Sequence, residues 1–174
     1  MTTRRPHHVF AIQACTTSDV SRSAVTIEKV NPSNFNDFFR LIGKLAQFEH
    51  HPLPDEKARK RLREGGLSDN PNYEAYLGFT DGKPIACVTV YLSSTCPASP
   101  TFFLENIFVL EEYRKTGVGS EMFRFCQEEA KKRGCEHMEW RVHTWNVPAI
   151  RFYEQCGGKC IDRIDTWDTL PRGN

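Results

Sequence analysis

The sequence carries no excess of charge of either sign. Its 23 Lys and Arg face 22 Asp and Glu, for a formal net charge of +1. Sequence-blind nucleic-acid binding needs many phosphate-neutralising cations, so this balance speaks against it. It speaks equally against a polybasic membrane anchor. No run approaches the ~20 apolar residues of a membrane-spanning helix. There is no internal repeat and no low-complexity stretch. The cysteines number seven, an odd count, and none forms a C-x-x-C pair. That spacing argues against a disulfide framework and against a paired-cysteine zinc site. The expected setting is a reducing, cytoplasmic compartment, and no metal site is expected. What remains is a chain of 174 residues, 39% hydrophobic and 26% charged, long enough for one self-supporting core. A small molecule, with no nucleic acid and no membrane, is the natural partner.

Residues 1–24 hold Arg4, Arg5, Arg22 and several Ser and Thr, with Asp19 the one acid. This composition is shared with organelle-targeting leaders, but the plainer expectation is a flexible tail, followed by one domain over 25–174. Residues 25–30 alternate like a first strand. Asn31-Pro32-Ser33 turns the chain, and Ser33 is a candidate helix cap. Phe35, Phe38, Phe39, Ile42, Leu45 and Ala46 share one helical face and predict a helix over 34–49. His50-His51-Pro52 breaks it. A polar helix follows over 55–64, with a stop expected at Gly65-Gly66.

Strands are predicted over 73–80 and 85–92, joined by the Asp81-Gly82 turn signal, and over 101–110. A helix over 117–133, a strand over 135–143, a short helix over 146–156 and a final strand or two complete the order. Such an order implies an α/β fold, a mixed central sheet with helices on both faces.

The strongest chemical signal is Tyr113-Arg114-Lys115-Thr116-Gly117-Val118-Gly119-Ser120, which follows an apolar strand and opens a helix. Without side chains, Gly117 and Gly119 let backbone N–H groups approach an anion closely. Arg114 and Lys115 add positive charge beside the helix N-terminus. It is neither a P-loop nor a dinucleotide fingerprint, because the spacings differ. Read alone, the string fits a pyrophosphate cradle and a plain glycine-containing helix start about equally well.

Arg114-x-x-Gly117-x-Gly119 between strand and helix resembles the acetyl-CoA motif of the GNAT N-acetyltransferase superfamily. Residues 40–49, 104–109, 113–120, 145–148 and 152–153 are similar to its spermidine/spermine, diamine and thialysine acetyltransferase branch. The resemblance spans roughly 25–170 and implies the GNAT fold, with acetyl-CoA as cosubstrate. It implies that backbone N–H groups of Ile107, Phe108 and Val109 hold the acetyl carbonyl, the role of an oxyanion hole. Lys115, Thr116, Gly117, Val118, Gly119 and Ser120 would hold the pyrophosphate, with Arg114 beside them. Asn146, with Val147, Pro148 and Ala149, would position the pantetheine arm, although Asn146 alone reads as a helix N-cap.

By the same resemblance Tyr153 is the general acid for the departing thiolate; a thiol near pKa 8.5 and a tyrosine near 10 lie close enough for transfer. Glu105, a carboxylate in the apolar run 102–108, is expensive there unless paired or wet. It is the candidate to take a proton from an amine of pKa about 10.4. Phe48, Glu49, Glu139, Trp140, Arg141 and Asp165 match substrate-contacting positions of the branch, and Trp167 matches an aromatic neighbour. A homodimer is the assembly the branch implies.

Three departures bear on the substrate. Thr95-Cys96-Pro97-Ala98 carries neither the acid nor the tryptophan of the polyamine enzymes. Asn106 stands where they often have aspartate. Glu154-Gln155-Cys156 replaces basic residues after Tyr153. Fewer acids favour a shorter amine, or an amino-acid-like amine such as thialysine, over a long polyamine. A protein or peptide N-acetyltransferase, and an acyl-CoA-binding module without turnover, are the alternatives.

Overall fold

The computed structural model describes residues 7–13, 25–93 and 100–164. Seven strands form one sheet in the order β2-β3-β4-β5-β6-β1-β7. They are β1 (His7–Gln13), β2 (Thr26–Lys29), β3 (Glu74–Thr80), β4 (Lys83–Ser93), β5 (Thr101–Val109), β6 (His137–His143) and β7 (Lys159–Ile164). The helices are α1 (Phe35–Phe48), α2 (Glu56–Leu67), α3 (Val118–Lys132) and α4 (Val147–Gln155). Among the described residues only β5 and β6 pair in parallel, across the α3 crossover that parallel strands require.

Period-two patterning splits the sheet between two cores. Ala86, Val88 and Val90 of β4 pack with Leu104, Trp140, Met122, Phe123, Cys126 and Tyr153 against α3 and α4. Ala75, Leu77, Cys87 and Phe108 pack on the other face against Phe35, Phe38, Leu41 and Leu45 of α1. Each fully buried side chain of this kind is worth roughly 1.5–3 kcal/mol relative to exposure. The expected layering, helices on both faces of a mixed sheet, is therefore present.

Three local expectations are corrected. The segment 1–24 is not tail throughout, because His7–Gln13 forms β1 between β6 and β7. The apolar run Val9-Phe10-Ala11-Ile12 suits that two-sided position, but basic and Ser/Thr flanks hid it. Gly65-Gly66 does not end α2, which runs to Leu67. A β-carbon on Gly66 would meet the Tyr73 ring and hydroxyl at 2.9 Å. Tyr73 in turn donates its hydroxyl proton to the Leu62 carbonyl at 2.6 Å, so these glycines serve close approach, not termination. Ser33 does not cap α1 either; its hydroxyl donates to Asn31 Oδ1, and Asn34 holds the cap position.

Candidate active site

The site exists because β5 and β6 part company. Their pairing runs only from Thr101↔His137 to Leu104↔Trp140. Beyond that point, among the described residues, no strand pairs with the facing edge of residues 105–109. A cavity of about 950 Å³ opens in the gap, and Ile107, Phe108, Val109, Val142 and His143 line it. An open strand edge presents its backbone N–H groups to whatever enters, the arrangement of a hydrogen-bonding hole.

Glu105 sits at a β-bulge. Thr89 pairs with Asn106 and Val90 with Leu104, which leaves Glu105 as the extra residue. A bulge of this kind re-aims side chains. Asn106 now donates from Nδ2 to Thr89 Oγ1 at 2.9 Å. Glu105 is exposed, so its carboxylate is wet and escapes the burial cost that its apolar flanks suggested.

The loop leading into α3 takes two left-handed residues, Lys115 at φ 63° and Gly117 at φ 93°. Alternating turns of this sort gather backbone N–H groups into an anion-binding concavity. Gly117 starts α3 with no side-chain cap, so its first amide groups stay available at the cavity wall. Lys115, Gly117, Gly119 and Ser120 line the cavity. Thr116 and Val118 do not point into it. Thr116 Oγ1 donates to the Tyr113 carbonyl, and Val118 is buried in the α3 core. Arg114 lines the wall but is partly spent as a brace. Its Nε donates to the Val109 carbonyl at 3.0 Å, and its guanidinium lies 4.7 Å from the Phe48 ring centroid.

On the opposite wall, Asn146 caps α4 by accepting from the Ala149 N–H at 3.3 Å, so capping and lining coincide. Val147, Pro148 and Ala149 line the same wall. Tyr153 reaches the cavity from α4 with its ring buried against Trp140, Phe152 and Phe123. Burial pushes its hydroxyl well above the usual tyrosine range, and neighbouring thiols and Glu49 push the same way. The phenol therefore stays protonated at any physiological pH, ready to give a proton and unable to act as a base.

A second cavity of about 430 Å³ lies on the α1 side, walled by Tyr73, Thr89 and Tyr91. It shares Leu45, Glu49, Glu105 and Asn106 with the first. Two carboxylates thus stand at the junction. Burial raises the pKa of Glu49; His51, 3.8 Å away, opposes the rise, and Glu105 adds to it. Phe48 and Arg141 also line the first cavity, the latter stacked 5.2 Å from the Phe103 ring centroid.

Two expected substrate contacts are not brought there. Trp140 is 1% exposed and sits edge-to-face on Phe123 in the core. Period two along β6 dictates this, since Met138, Trp140 and Val142 share the core face while Arg141 and His143 share the other. Glu139 lies on the open face but lines neither cavity. Asp165 and Trp167 lie outside the described residues. Sequence reasoning passed over His143, His51, Arg151 and Phe152, all at the cavity walls. Arg151 was findable, because it stands one helical turn beyond Val147. It places a cation at the wall of the first cavity.

Residues 36–158 match the model of the acetyltransferase (GNAT) family. The chain belongs to the GNAT family. As such it is an N-acetyltransferase, and acetyl-CoA is its cosubstrate. It is 25% identical over 154 residues to the thialysine N-epsilon-acetyltransferase of Mus musculus, covering 83% of this chain and 90% of that one. Over a shorter stretch of 62 residues, 36% of this chain and 27% of the other, it is 42% identical to the L-ornithine N5-acetyltransferase of Arabidopsis thaliana. Among solved structures, an aminoglycoside N-acetyltransferase in complex with CoA superposes with a TM-score of 0.71 at 22% identity, over 86% of this chain and 98% of that one, which is a likeness of fold. The open β5 edge, the left-handed loop and the uncapped α3 start of this GNAT chain fit a thioester with a diphosphate tail.

Proposed function

We propose that this chain acetylates a primary amine of a small polyamine-, diamine- or thialysine-like substrate. The observation that carries the reading is the pair Glu49 and Glu105 at the junction of two cavities. An ammonium group is drawn to two carboxylates in a partly dry site, where charge attraction is stronger than in water. The second cavity, walled by tyrosines, accommodates the rest of a short molecule.

Acetyl-CoA, when bound, supplies the thioester carbon that the amine attacks. Glu105 takes the proton that the ammonium must lose, directly or through water. The amide groups of residues 107–109 that lie on the open strand edge face the charge that develops on the thioester oxygen. As the new C–N bond forms and the C–S bond breaks, Tyr153 hands its proton to the thiolate. Arg151 and Lys115 balance phosphate charge at the outer walls. The thiols of Cys87 and Cys126 are buried and pushed up to about 12, so neither acts as a nucleophile at neutral pH. A cytoplasmic homodimer belongs to the same reading; the buried thiols of Cys87, Cys126 and Cys135 agree with a reducing compartment. Among the described residues no helix is long and apolar enough to cross a membrane.

The test is a thiol-release assay with acetyl-CoA and a panel of amines. Turnover with short diamines or with lysine-like amines, against none with neutral alcohols and little with peptides, is the expected result. Turnover on peptide N-termini alone would replace the reading with a protein acetyltransferase. No turnover on any acceptor would leave a binding module.

A further inference from the structure

The junction holds a second chemistry that the acetyl transfer does not use. Glu49, His51 and His143 each offer a ligand atom, and these atoms all lie within 4.8 Å of one another. Glu49 and His51 come from the end of α1 and His143 from the end of β6, so linear spacing conceals the set. Glu49 closes α1, and His50 adopts the left-handed conformation at φ 58°. The His51 N–H then bonds back to the Ala46 carbonyl at 2.8 Å and the His50 N–H to Gln47 at 3.2 Å. That double bond pattern is the helix-terminating motif usually built on glycine. It folds His51 back beside Glu49, with Nε2 3.8 Å from Oε2. His143 arrives from the far side as the last residue of β6, where the Trp145 ring stacks on it at 5.4 Å and 17°.

We infer that Glu49, His51 and His143 form a binding site for a borderline divalent transition metal, zinc above all, whose occupancy blocks the amine side of the active site. Two imidazoles and one carboxylate are a donor set that zinc takes in three-ligand sites, leaving one position for water. Nitrogen donors disfavour calcium and magnesium, which demand oxygen. Zinc bonds of about 2.0–2.2 Å require the three donors to draw together by roughly an ångström. His51 is exposed and Glu49 is only partly buried, and both line the second cavity, so both side chains have room to do so. The metal would consume the Glu49 carboxylate and put positive charge where an ammonium is meant to sit. Inhibition competitive with the amine follows, and this part rests on the proposed acceptor side; metal binding itself does not.

The experiment uses the untagged full chain, because a polyhistidine tag would bind the same ions. Cobalt(II) is titrated in a non-chelating buffer and followed by visible absorption and by quenching of tryptophan fluorescence. One saturable site is expected, with the Trp145 quench tracking occupancy. His143→Ala and His51→Ala should each weaken binding on the order of 100-fold, at or beyond the loss seen when outer-shell partners of a metal ligand are removed. His143→Asn and His51→Asn, which keep polarity and size, give the same answer if an alanine variant fails to fold. Zinc should raise the amine KM of the wild-type enzyme, and EDTA should reverse this. Absence of saturable cobalt binding overturns the site. So does binding that survives both histidine substitutions, which would place the ion elsewhere on the chain. Binding without an effect on the amine KM would keep the metal site and sink the acceptor-side assignment.

Discussion

The two ends of the active site are built from different materials. The acetyl-CoA end is made of backbone: an open strand edge after Leu104, a left-handed loop at Lys115 and Gly117, and an uncapped helix start. The acceptor end is made of ionisable side chains delivered by a helix terminus, a bulge and a strand end: Glu49, Glu105 and His143. Backbone geometry is fixed by the fold and is insensitive to most substitutions. Side-chain chemistry is set one residue at a time. On the proposed reading, the first end holds the cosubstrate and the second chooses the acceptor.

That contrast can be broken at several points. The largest effect is expected for Tyr153→Phe. The ring still fills its place among Trp140, Phe123 and Phe152, so the fold stands, while kcat falls by about 10²–10³, the range lost with a general acid. Single-turnover rates measured with both substrates saturating check this. Next comes Glu105→Gln, which should lower the rate with a primary amine about 30-fold near neutral pH. The deficit should shrink as pH rises toward the amine pKa near 10.4, where free base forms unaided; a pH–rate profile reads it.

A smaller change, confined to the backbone end, is expected for Gly117→Ala. Space is open around an added β-carbon, but φ at 93° is strained for any side chain. Such strain costs about 1–3 kcal/mol, so the acetyl-CoA KM should rise about tenfold with the amine KM unchanged. The smallest effect on activity belongs to Glu74→Gln, far from both ends. Hydrogen bonds from Arg133, aided by Lys29 and Tyr76, hold the Glu74 carboxyl down to about 2. A depressed pKa gives stability that is present above the unfolded carboxylate value and lost as pH falls toward 2. Partial exposure screens the pair, so a loss of about 1–2 kcal/mol at pH 7 is expected in denaturant melts, with kcat untouched.

The same contrast explains what could be read in advance. Local signals carried the backbone end. The Asp81-Gly82 turn, the Gly117-x-Gly119 string after an apolar strand, and the Asn146 cap each speak through neighbours in sequence, and each stands where expected. The order of elements after residue 25 followed from periodicity together with turn and break signals. At the acceptor end, the resemblance set Glu49 and Glu105 against the same substrate, but the helix end and the bulge that bring them to one junction were invisible; His51 was read only as part of a helix break, and His143 went unremarked. Trp140 shows the converse error: its resemblance to a contact position was outweighed by the alternation along β6, which drives it into the core. β1 was lost because four apolar residues in a basic, Ser/Thr-rich setting carry too little periodicity to read.

The division of labour is tested most directly by two-substrate kinetics on Glu49→Gln. Burial, reinforced by Glu105, holds the Glu49 pKa above the usual carboxylate range. Its charge is lost as pH falls through that raised value, so wild-type amine affinity should weaken on the acid side. In Glu49→Gln the amine KM should rise about tenfold at neutral pH, a cost of about 1.4 kcal/mol. That acid limb should disappear, while the acetyl-CoA KM stays within twofold. Equal changes in both KM values, or an amine KM left at the wild-type level, would contradict the separation of the two ends.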